Sequence, residues 1–337
     1  MPKHRISLKD MAEQLGVSIA TVSRALHESP EIGKEMQAKV KALAKKLNYR
    51  PNPFAQSLRS EAPKVIGVVV PNLVTHYYAA VLDGIETEAR QAGYSVISAN
   101  SHERQDDETI AIDNFNSLHV EGIIACLAQE TTDYRHFEEI AQMGIPLVFF
   151  GRTCMSDKFS CVTANGNEAA QEATQHLIDT GSRRIAFIGG PNHLDMVQRR
   201  KHGYLEALRE NKIPIERELV ACNRIDYEVA KQSALQLLSS PNPPDAILAF
   251  NDIITFAAFT AIKQMGLRIP EDVALIGFTD DVHACYVTPR LSAIEDQSEL
   301  MGKTACQLLL RHIEGDIKVY RKIVPQKLVI RETSAKR

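Results

Sequence analysis

One short stretch of this chain constrains its fold more than any other. Residues 7–26 read SLKDMAEQLGVSIATVSRAL, which is the pattern of two short helices joined by a tight turn. Ser7 and Asp10 have the spacing of a helix-capping box, and Ser18 can cap a second helix. Gly16 allows a turn that a side chain would hinder. The stretch therefore predicts a helix-turn-helix, although any small helical hairpin would show a similar pattern.

The second predicted helix leaves one face free for a partner. Val22, Ala25 and Leu26 share its inner face at helical spacing. The remaining positions point outward and, together with Ser18 at the helix start, are the candidate DNA contacts: Ile19, Ala20, Thr21, Ser23 and Arg24. In a helix-turn-helix, residues in these places enter the major groove of DNA.

Charge is divided unevenly along the chain. Residues 1–60 carry eleven Lys and Arg against five Asp and Glu, a net charge of +6, whereas the whole chain carries −3. The other 277 residues therefore hold −9. A basic head on an acidic body predicts a polyanion such as DNA as a partner of the head alone.

Length and composition are those of a well-cored soluble protein. With 337 residues, 44% of them hydrophobic and 24% charged, the chain has room for two or three domains. We expect a cytoplasmic protein without membrane contact, because no apolar run approaches ~20 residues and the N-terminus lacks an apolar signal segment. Six cysteines without a CxxC pair favour buried free thiols over disulfides or a metal site. No metal and no cofactor is predicted.

The patterns divide the chain into three segments. Residues 1–50 form the helix-turn-helix head, which a third amphipathic helix at about 33–47 completes. Residues 51–63 are a short hinge helix that folds only against a partner, or a plain linker. Residues 64–337 alternate buried strands with amphipathic helices, in two similar series. They predict an α/β core of two doubly wound parallel-sheet lobes with a ligand cleft between them.

Several longer motifs occur in a fixed order. The head carries LKDMAEQLGVSIATVSRAL and LNYRPNPFAQSLR; the core carries IGVVVP, GIIA, RIAFIGGP, FNDIITFAA, GLRIPEDVALIGF and TPRLSAIEDQ. This set resembles the lactose-repressor (LacI/GalR) family of bacterial transcription regulators. The resemblance implies a core similar to periplasmic sugar-binding proteins, with three crossovers between the lobes. The first lobe would comprise about 64–163 plus 292–322, and the second about 164–291 plus 323–337.

The resemblance also implies a function and the head residues that perform it. A homodimer would bind a palindromic DNA operator, usually as a repressor, under the control of a small-molecule effector such as a sugar. Ile19, Ala20 and Arg24 match base-reading positions, and Thr21 and Ser23 match phosphate-contacting ones. Leu58 matches a hinge leucine that wedges between base pairs, with the basic Arg59 beside it, although Leu58 could merely pack the hinge.

Effector-binding residues follow from the same resemblance. Arg200 matches an arginine that grips ligand oxygens; the other candidates are Tyr78, Arg152, Asn251, Asp252 and Asp280. Two positions depart from the family pattern, since Gly151 and Thr279 stand where many members have aspartate. Either Asp280 replaces the second aspartate, or the ligand is atypical for the family. Apart from Arg200, an ordinary polar loop residue is nearly as good an interpretation of each.

Two other classes of protein share a two-lobed core. A small-metabolite enzyme finds little support, because no phosphate-binding glycine loop, nucleophile elbow or HExxH motif occurs. A sugar- or nucleoside-binding transport protein is opposed by the basic head and by the lack of a signal segment. No leucine heptads long enough for a tetramerising coil follow the last predicted strand, which favours a dimer.

Overall fold

The computed structural model of the protein describes residues 6–47, 49, 64–155, 157–279 and 282–335. After residue 63 the chain divides into two compact units, which we name the head (residues 1–63) and the core (residues 64–337). Within the described residues, no helix is both long enough and apolar enough to span a membrane.

Helices α1 (Leu8–Leu15), α2 (Ile19–Leu26) and α3 (Lys34–Lys46) form the described part of the head. Each is amphipathic, and their apolar faces meet because none of them could bury its apolar residues alone. The buried side chains of this small core are Met11, Ala12, Val22, Ala25 and Val40. The predicted helix-turn-helix and third helix are confirmed.

The first lobe of the core is a six-stranded sheet with helices on both faces. Its strands are β1 (Val65–Val70), β2 (Ser95–Asn100), β3 (Gly122–Ala125), β4 (Leu147–Phe150), β5 (Ser160–Ala164) and β11 (Arg321–Val324). Its helices are α4 (His76–Gln91), α5 (Gln105–Ser117), α6 (Arg135–Gln142) and α11 (Ser298–Ile313). The strand order is β11-β5-β4-β3-β1-β2, and every pairing is parallel.

The second lobe repeats this plan. Its strands are β6 (Ile185–Gly189), β7 (Val220–Cys222), β8 (Ala246–Ala249), β9 (Ala274–Phe278), β10 (Ser292–Glu295) and β12 (Lys327–Val329), in the order β12-β10-β9-β8-β6-β7. Its helices are α7 (Gly166–Asp179), α8 (Asp195–Glu210), α9 (Tyr227–Leu238) and α10 (Asp252–Gln264), with short 3-10 turns at Arg217–Leu219 and Val282–Cys285. Only β12 departs from the parallel sheet among the described strands, since it pairs antiparallel with β10.

The described chain crosses between the lobes after Ala164, after Glu295 and after Val324, because β5 and β11 belong to one sheet while β10 and β12 belong to the other. The predicted lobe limits at 292 and 322 are wrong. Residues 292–295 form β10, which hydrogen-bonds to β9 in the second sheet. Residues 321–324 form β11, which pairs along its whole length with β5 in the first sheet. Strand pairing, which a single strand's residues do not reveal, sets these limits.

Candidate DNA-binding helix and effector cleft

Local hydrogen bonds and one glycine define the two ends of α1 and the start of α2. The Ser7 amide donates to Asp10 Oδ2 at 2.7 Å, and the Asp10 amide donates to Ser7 Oγ at 3.3 Å, so the predicted capping box is present. Gly16 ends α1 with a φ of +64°, in the left-handed region that a residue with a Cβ rarely adopts. Ser18 then caps α2, because its Oγ accepts from the Thr21 amide at 3.1 Å.

Helix α2 presents most of the predicted DNA-contacting residues to solvent. Ser18, Ile19, Ala20 and Arg24 are exposed, and Thr21 is half-buried. Ile19 is 45% exposed, so its side chain is free to contact an apolar base edge. The outward orientation predicted for Ser23 is wrong: only 8% of it is exposed, because it follows Val22 at the margin of the buried helix face. Leu58 and Arg59 lie outside the described residues.

In the core, a cavity between the lobes is lined by residues from both. From the first lobe come Asn72, Thr75, Tyr77, Tyr78, Glu103, Cys126 and Arg152; from the second come Met196, Arg200, Phe250, Asn251, Asp252, Ile253, Phe278 and Thr279, with Asp296 at a crossover. The structure thus brings together five of the six predicted effector-binding residues. The sixth, Asp280, lies outside the described residues.

Arg152 is a buried cation that already has an internal partner. Its Nη1 and Nη2 donate to the two carboxylate oxygens of Glu103 at 2.6 and 3.0 Å, and Nη1 also donates to the Leu127 carbonyl at 3.2 Å. Burial alone would lower the pKa of Arg152, but the Glu103 carboxylate raises it well above its ordinary value. Arg152 therefore stays charged, and its charge is neutralised before any ligand binds.

Arg200, at 2% exposure, is held in the same way from the other lobe. Its Nη2 donates to Asp296 Oδ1 at 3.0 Å, its Nη1 donates to the Phe250 carbonyl, and its guanidinium lies 3.7 Å from the centroid of the Phe278 ring. Burial lowers the pKa of Arg200, while Asp296 opposes that shift. The protein itself thus supplies two hydrogen-bond acceptors for Arg200, the Phe250 carbonyl and the Asp296 carboxylate. The Arg200 Nε–H is left without a partner.

Two tyrosines close the first-lobe side of the cavity. The Tyr77 hydroxyl is buried and has no hydrogen-bond partner, whereas the Tyr78 hydroxyl lies 3.9 Å from the Cys126 sulfur. Burial raises the pKa of both phenols well above the ordinary value, so each stays a hydrogen-bond donor. A Cβ on Gly151 would lie 3.0 Å from the Tyr77 oxygen, and the φ of Gly151 is +63°. A side chain at position 151 would therefore need a left-handed backbone and a small shift of the Tyr77 hydroxyl.

The polar residues at the second-lobe edge are partly committed to the start of α10. Asn251 Oδ1 accepts from the Ile254 amide at 3.0 Å, and Asp252 Oδ1 accepts from the Ile253 amide at 2.9 Å. A role in helix capping therefore accompanies any role in ligand binding. Thr279, the second departure from the family pattern, is 2% exposed, and its amide donates to the Ile294 carbonyl at 3.1 Å.

Gln129 joins the two lobes beside this cavity. Its Oε1 accepts from the Ile225 amide at 2.8 Å, and its carbonyl accepts from His193 Nε2 at 2.7 Å. The backbone amide of Gln129 donates to Glu103 Oε2 at 2.7 Å. A continuous set of hydrogen bonds therefore runs from Arg152 in the cavity, through Glu103 and Gln129, to the second lobe.

Sequence reasoning missed several members of the cavity: Glu103, Asp296, Tyr77, Phe250 and Phe278. A signal was available for three of them, because Phe278 ends β9 and Phe250 and Asp296 immediately follow β8 and β10. The carboxyl ends of parallel strands face the ligand cleft in such sheets. Glu103 has no comparable signal, since its partner Arg152 is 49 positions away.

Comparisons with known proteins agree with this architecture. Residues 7–52 match the family model described as bacterial regulatory proteins, lacI family, and residues 174–334 match a periplasmic binding protein-like domain. A probable HTH-type transcriptional repressor, ExuR of Bacillus subtilis (strain 168), is 33% identical over 97% of this chain and 98% of its own length.

Two solved structures of regulators are similar over nearly the whole of this chain. The Lac repressor dimer bound to operator and the anti-inducer ONPF matches with a TM-score of 0.83 and 26% identity, over 98% of this chain and 99% of that one. The complex of the transcriptional regulator CelR with cellobiose matches with a TM-score of 0.74 and 27% identity, over 98% of this chain and all of that one. The match of residues 7–52 to the lacI family model and the 33% identity with ExuR over 97% of the chain agree with the fold and the helix-turn-helix. We conclude that the chain belongs to the LacI family of bacterial regulatory proteins.

Proposed function

We propose that the protein is a homodimeric transcriptional repressor that binds a palindromic DNA operator and responds to a neutral, sugar-like effector in the cavity between the core lobes. The observation that carries this proposal is a capped helix-turn-helix whose second helix exposes Ile19, Ala20 and Arg24. Since the DNA lies in the cytoplasm, the protein would act there. The Lac repressor, a dimer on its operator, supports the assembly.

On DNA, we assign the outer residues of α2 two kinds of contact. Ile19, Ala20 and Arg24 would meet base edges, where an arginine can bond guanine O6 and N7 together and apolar groups can touch a thymine methyl. Ser18 and Thr21, in the capped N-terminal turn of the helix, would contact phosphate. Leu58 and Arg59 remain assigned to the minor groove by resemblance alone.

The charges around the cavity favour a neutral effector. Among the described lining residues, two arginines face three carboxylates, those of Glu103, Asp252 and Asp296. Both arginines are paired internally, so an anionic ligand would add unbalanced negative charge to a buried site, which is costly. A ligand without charge avoids that cost.

The unpartnered polar atoms around the cavity favour a polyhydroxylated ligand. Thr75 Oγ1, Tyr77 Oη and Arg200 Nε are buried and have no hydrogen-bond partner. Buried polar groups left in this state destabilise a protein by about 1–3 kcal/mol each. Sugar hydroxyls can both donate and accept. Phe250 and Phe278 add apolar atoms to the lining of the cavity. The cellobiose bound to CelR supports this class of ligand.

An enzyme on the same core is less well supported. The thiol of Cys126 is the one sulfur nucleophile among the described lining residues of the cavity. Burial raises its pKa to about 11, so it is protonated and inert at neutral pH. The relatives are transcription repressors, which agrees with a binding role. A transport protein would have no use for the DNA-binding head.

Ligand binding can reach the DNA only through a change between lobe arrangements. A ligand shifts that equilibrium by the difference between its affinities for the two arrangements and by nothing else. The hydrogen bonds from Arg152 through Glu103 to Gln129 give a physical route by which occupancy of the cavity would favour the closed lobes.

A thermal-shift screen tests the ligand class. The panel contains D-ribose, D-glucose, cellobiose, cytidine and the anion D-galacturonate. A neutral compound at about 100 times its Kd should stabilise the core by ~2.7 kcal/mol. Tyr77→Phe, which removes one hydroxyl and keeps the ring, should weaken binding of that compound. Stabilisation by D-galacturonate alone would contradict the proposed ligand class and leave the regulator assignment standing.

A mobility-shift assay tests the regulator assignment itself. The probe is a duplex from the region upstream of the protein's own gene, with a scrambled duplex as control. Binding of the upstream duplex should weaken steeply with salt, with a log–log slope of roughly −0.9 per phosphate neutralised. Equal binding of both duplexes would contradict a sequence-specific regulator.

A further inference from the structure

An acidic residue outside α2 holds the side chain of Arg24. Glu31 Oε2 lies 2.9 Å from Arg24 Nη1, and both side chains are more than half exposed. Glu31 belongs to neither helix of the helix-turn-helix, because it lies in the loop between α2 and α3. The pair therefore connects the recognition helix to a residue that neither the motif nor the sequence pattern assigned to DNA binding.

The loop that carries Glu31 is well ordered by hydrogen bonds. The Ser29 amide donates to the Arg24 carbonyl at 3.0 Å, and the Ile32 amide donates to the Ser29 carbonyl at 3.1 Å. Gln37 on α3 closes the loop, since its Nε2 donates to the carbonyls of Ser29 and Ile32, both at 2.9 Å. These hydrogen bonds fix the position of the Glu31 backbone relative to α2.

We infer that Glu31 is a specificity-determining residue that directs Arg24 to a base instead of a phosphate. This inference rests on the proposed DNA-binding function. An arginine carries five N–H donors, of which the contact at Nη1 occupies one. The Nε–H and Nη2–H groups stay free for the paired contact with guanine O6 and N7. A fork already held in one orientation loses less freedom when it binds.

The negative charge of Glu31 also acts against the wrong contact. A carboxylate beside the guanidinium repels the phosphate that Arg24 would otherwise approach, because like charges oppose each other most strongly at short range. Specificity arises when the unwanted contact is weakened as well as when the wanted one is formed. With Glu31 present, Arg24 discriminates between bases; without it, Arg24 becomes a general phosphate contact.

The test is in vitro selection from a random-sequence duplex library with full-length wild-type protein and with Glu31→Gln. The matched control is Glu28→Gln, which removes an equal charge from the same loop, at a carboxylate that pairs with Lys41 on α3 instead of with α2. Binding of the wild-type consensus duplex and of a random duplex is then measured across a salt series for all three proteins. Arg24→Ala is selected in parallel to identify the base pair that Arg24 reads.

We expect Glu31→Gln to lose about fivefold in discrimination at the base pair that Arg24→Ala identifies, and to bind random DNA more tightly. On random DNA, the log–log plot of affinity against salt concentration should become steeper by roughly the 0.9 that one additional phosphate contact contributes. Glu28→Gln should keep the wild-type consensus at that base pair. The inference is overturned if Glu31→Gln keeps the wild-type consensus, or if both glutamine variants change it alike. If Arg24→Ala also leaves the consensus unchanged, the base-reading assignment of Arg24 fails as well.

Discussion

The head and the core hold their functional side chains in opposite environments. In the head, Ile19 and Arg24 are exposed, and the polar contact of Arg24 is with another exposed residue, Glu31. In the core, Arg152 and Arg200 are almost fully buried and each is neutralised by a carboxylate from a distant part of the chain. The head thus offers its site to a large, charged partner, while the core encloses a small one.

This difference has an energetic consequence. Exposed ion pairs contribute little to folding, so residues of the head site can change without loss of the fold. A buried pair is different, because removing one partner leaves a charge without solvent or counter-charge. Mutations in the cavity should therefore combine effects on stability and on ligand binding, whereas mutations on the outer face of α2 should affect DNA binding alone.

The largest effect is expected at the buried pair of the second lobe. Asp296→Ala leaves the Arg200 charge uncompensated and should destabilise the core by roughly 3–5 kcal/mol. Urea unfolding followed by circular dichroism measures this change. Glu332→Ala is the control, because it removes the carboxylate of an exposed arginine pair, with Arg290. That variant should leave the midpoint nearly unchanged, and equal shifts for the two would remove the contrast between buried and exposed sites.

A second large effect is expected inside the head. Met11 is fully buried in a core with few buried side chains, so Met11→Ala should cost roughly 2–5 kcal/mol and unfold the head. Unfolding of the head should appear as faster hydrogen exchange of its peptides in the full-length protein and as loss of DNA binding. Ile19→Ala on the exposed face should keep slow exchange and weaken only specific DNA binding. Fast exchange in that variant would show that the outer face of α2 is needed for folding.

An intermediate effect is expected where the lobes meet. Gln129→Ala leaves the Ile225 amide without its acceptor, which should cost roughly 1–3 kcal/mol and loosen the closed arrangement. Faster hydrogen exchange around Ile225, with the first-lobe sheet unchanged, is the expected signature. Gln198→Ala, at an exposed glutamine of α8, should leave that exchange as in the wild type. Unchanged exchange in Gln129→Ala would mean that Gln129 does not hold the lobes together.

The smallest effect concerns the capping box of α1. Ser7→Ala removes the acceptor for the Asp10 amide and should destabilise the head by ~1 kcal/mol. The melting temperature of the head, measured by hydrogen exchange of its peptides, should fall. The melting temperature of the core should stay unchanged. A shift in core unfolding would show that the two units do not fold independently.

The same contrast explains how much the sequence could predict. In the head, the helical period and the capping residues suffice, because the hydrogen bonds that cap the helices join residues a few positions apart, such as Ser7 and Asp10. The outward orientation predicted for Ser23 is wrong because this residue lies at the margin of the buried face, where a period of 3.6 residues does not separate inside from outside.

In the core, the strand pattern predicts the two lobes but not the partners inside the cavity. Arg200 could be named from a motif, yet Asp296, which neutralises it, lies 96 positions away. The limits of the lobes failed for a related reason, since β10 and β11 are assigned by their neighbours in space. Contacts of such sequence separation leave no local signature, so the sequence does not reveal that carboxylates of the protein itself neutralise Arg152 and Arg200. Both line the cavity, and their contact with a ligand stays a prediction.

The central claim is that the exposed head reads DNA under the control of the enclosed cavity. Fluorescence anisotropy of the full-length protein on its selected palindromic duplex and on a scrambled duplex, in salt between about 50 and 200 mM, tests that claim directly. Each titration is repeated with cellobiose, D-ribose or whichever compound of the panel stabilises the core. We expect binding of the palindrome to be roughly a thousandfold tighter, and to change when that compound is added. Equal affinity for the two duplexes, or an affinity for the palindrome that the stabilising compound leaves unchanged, would contradict it.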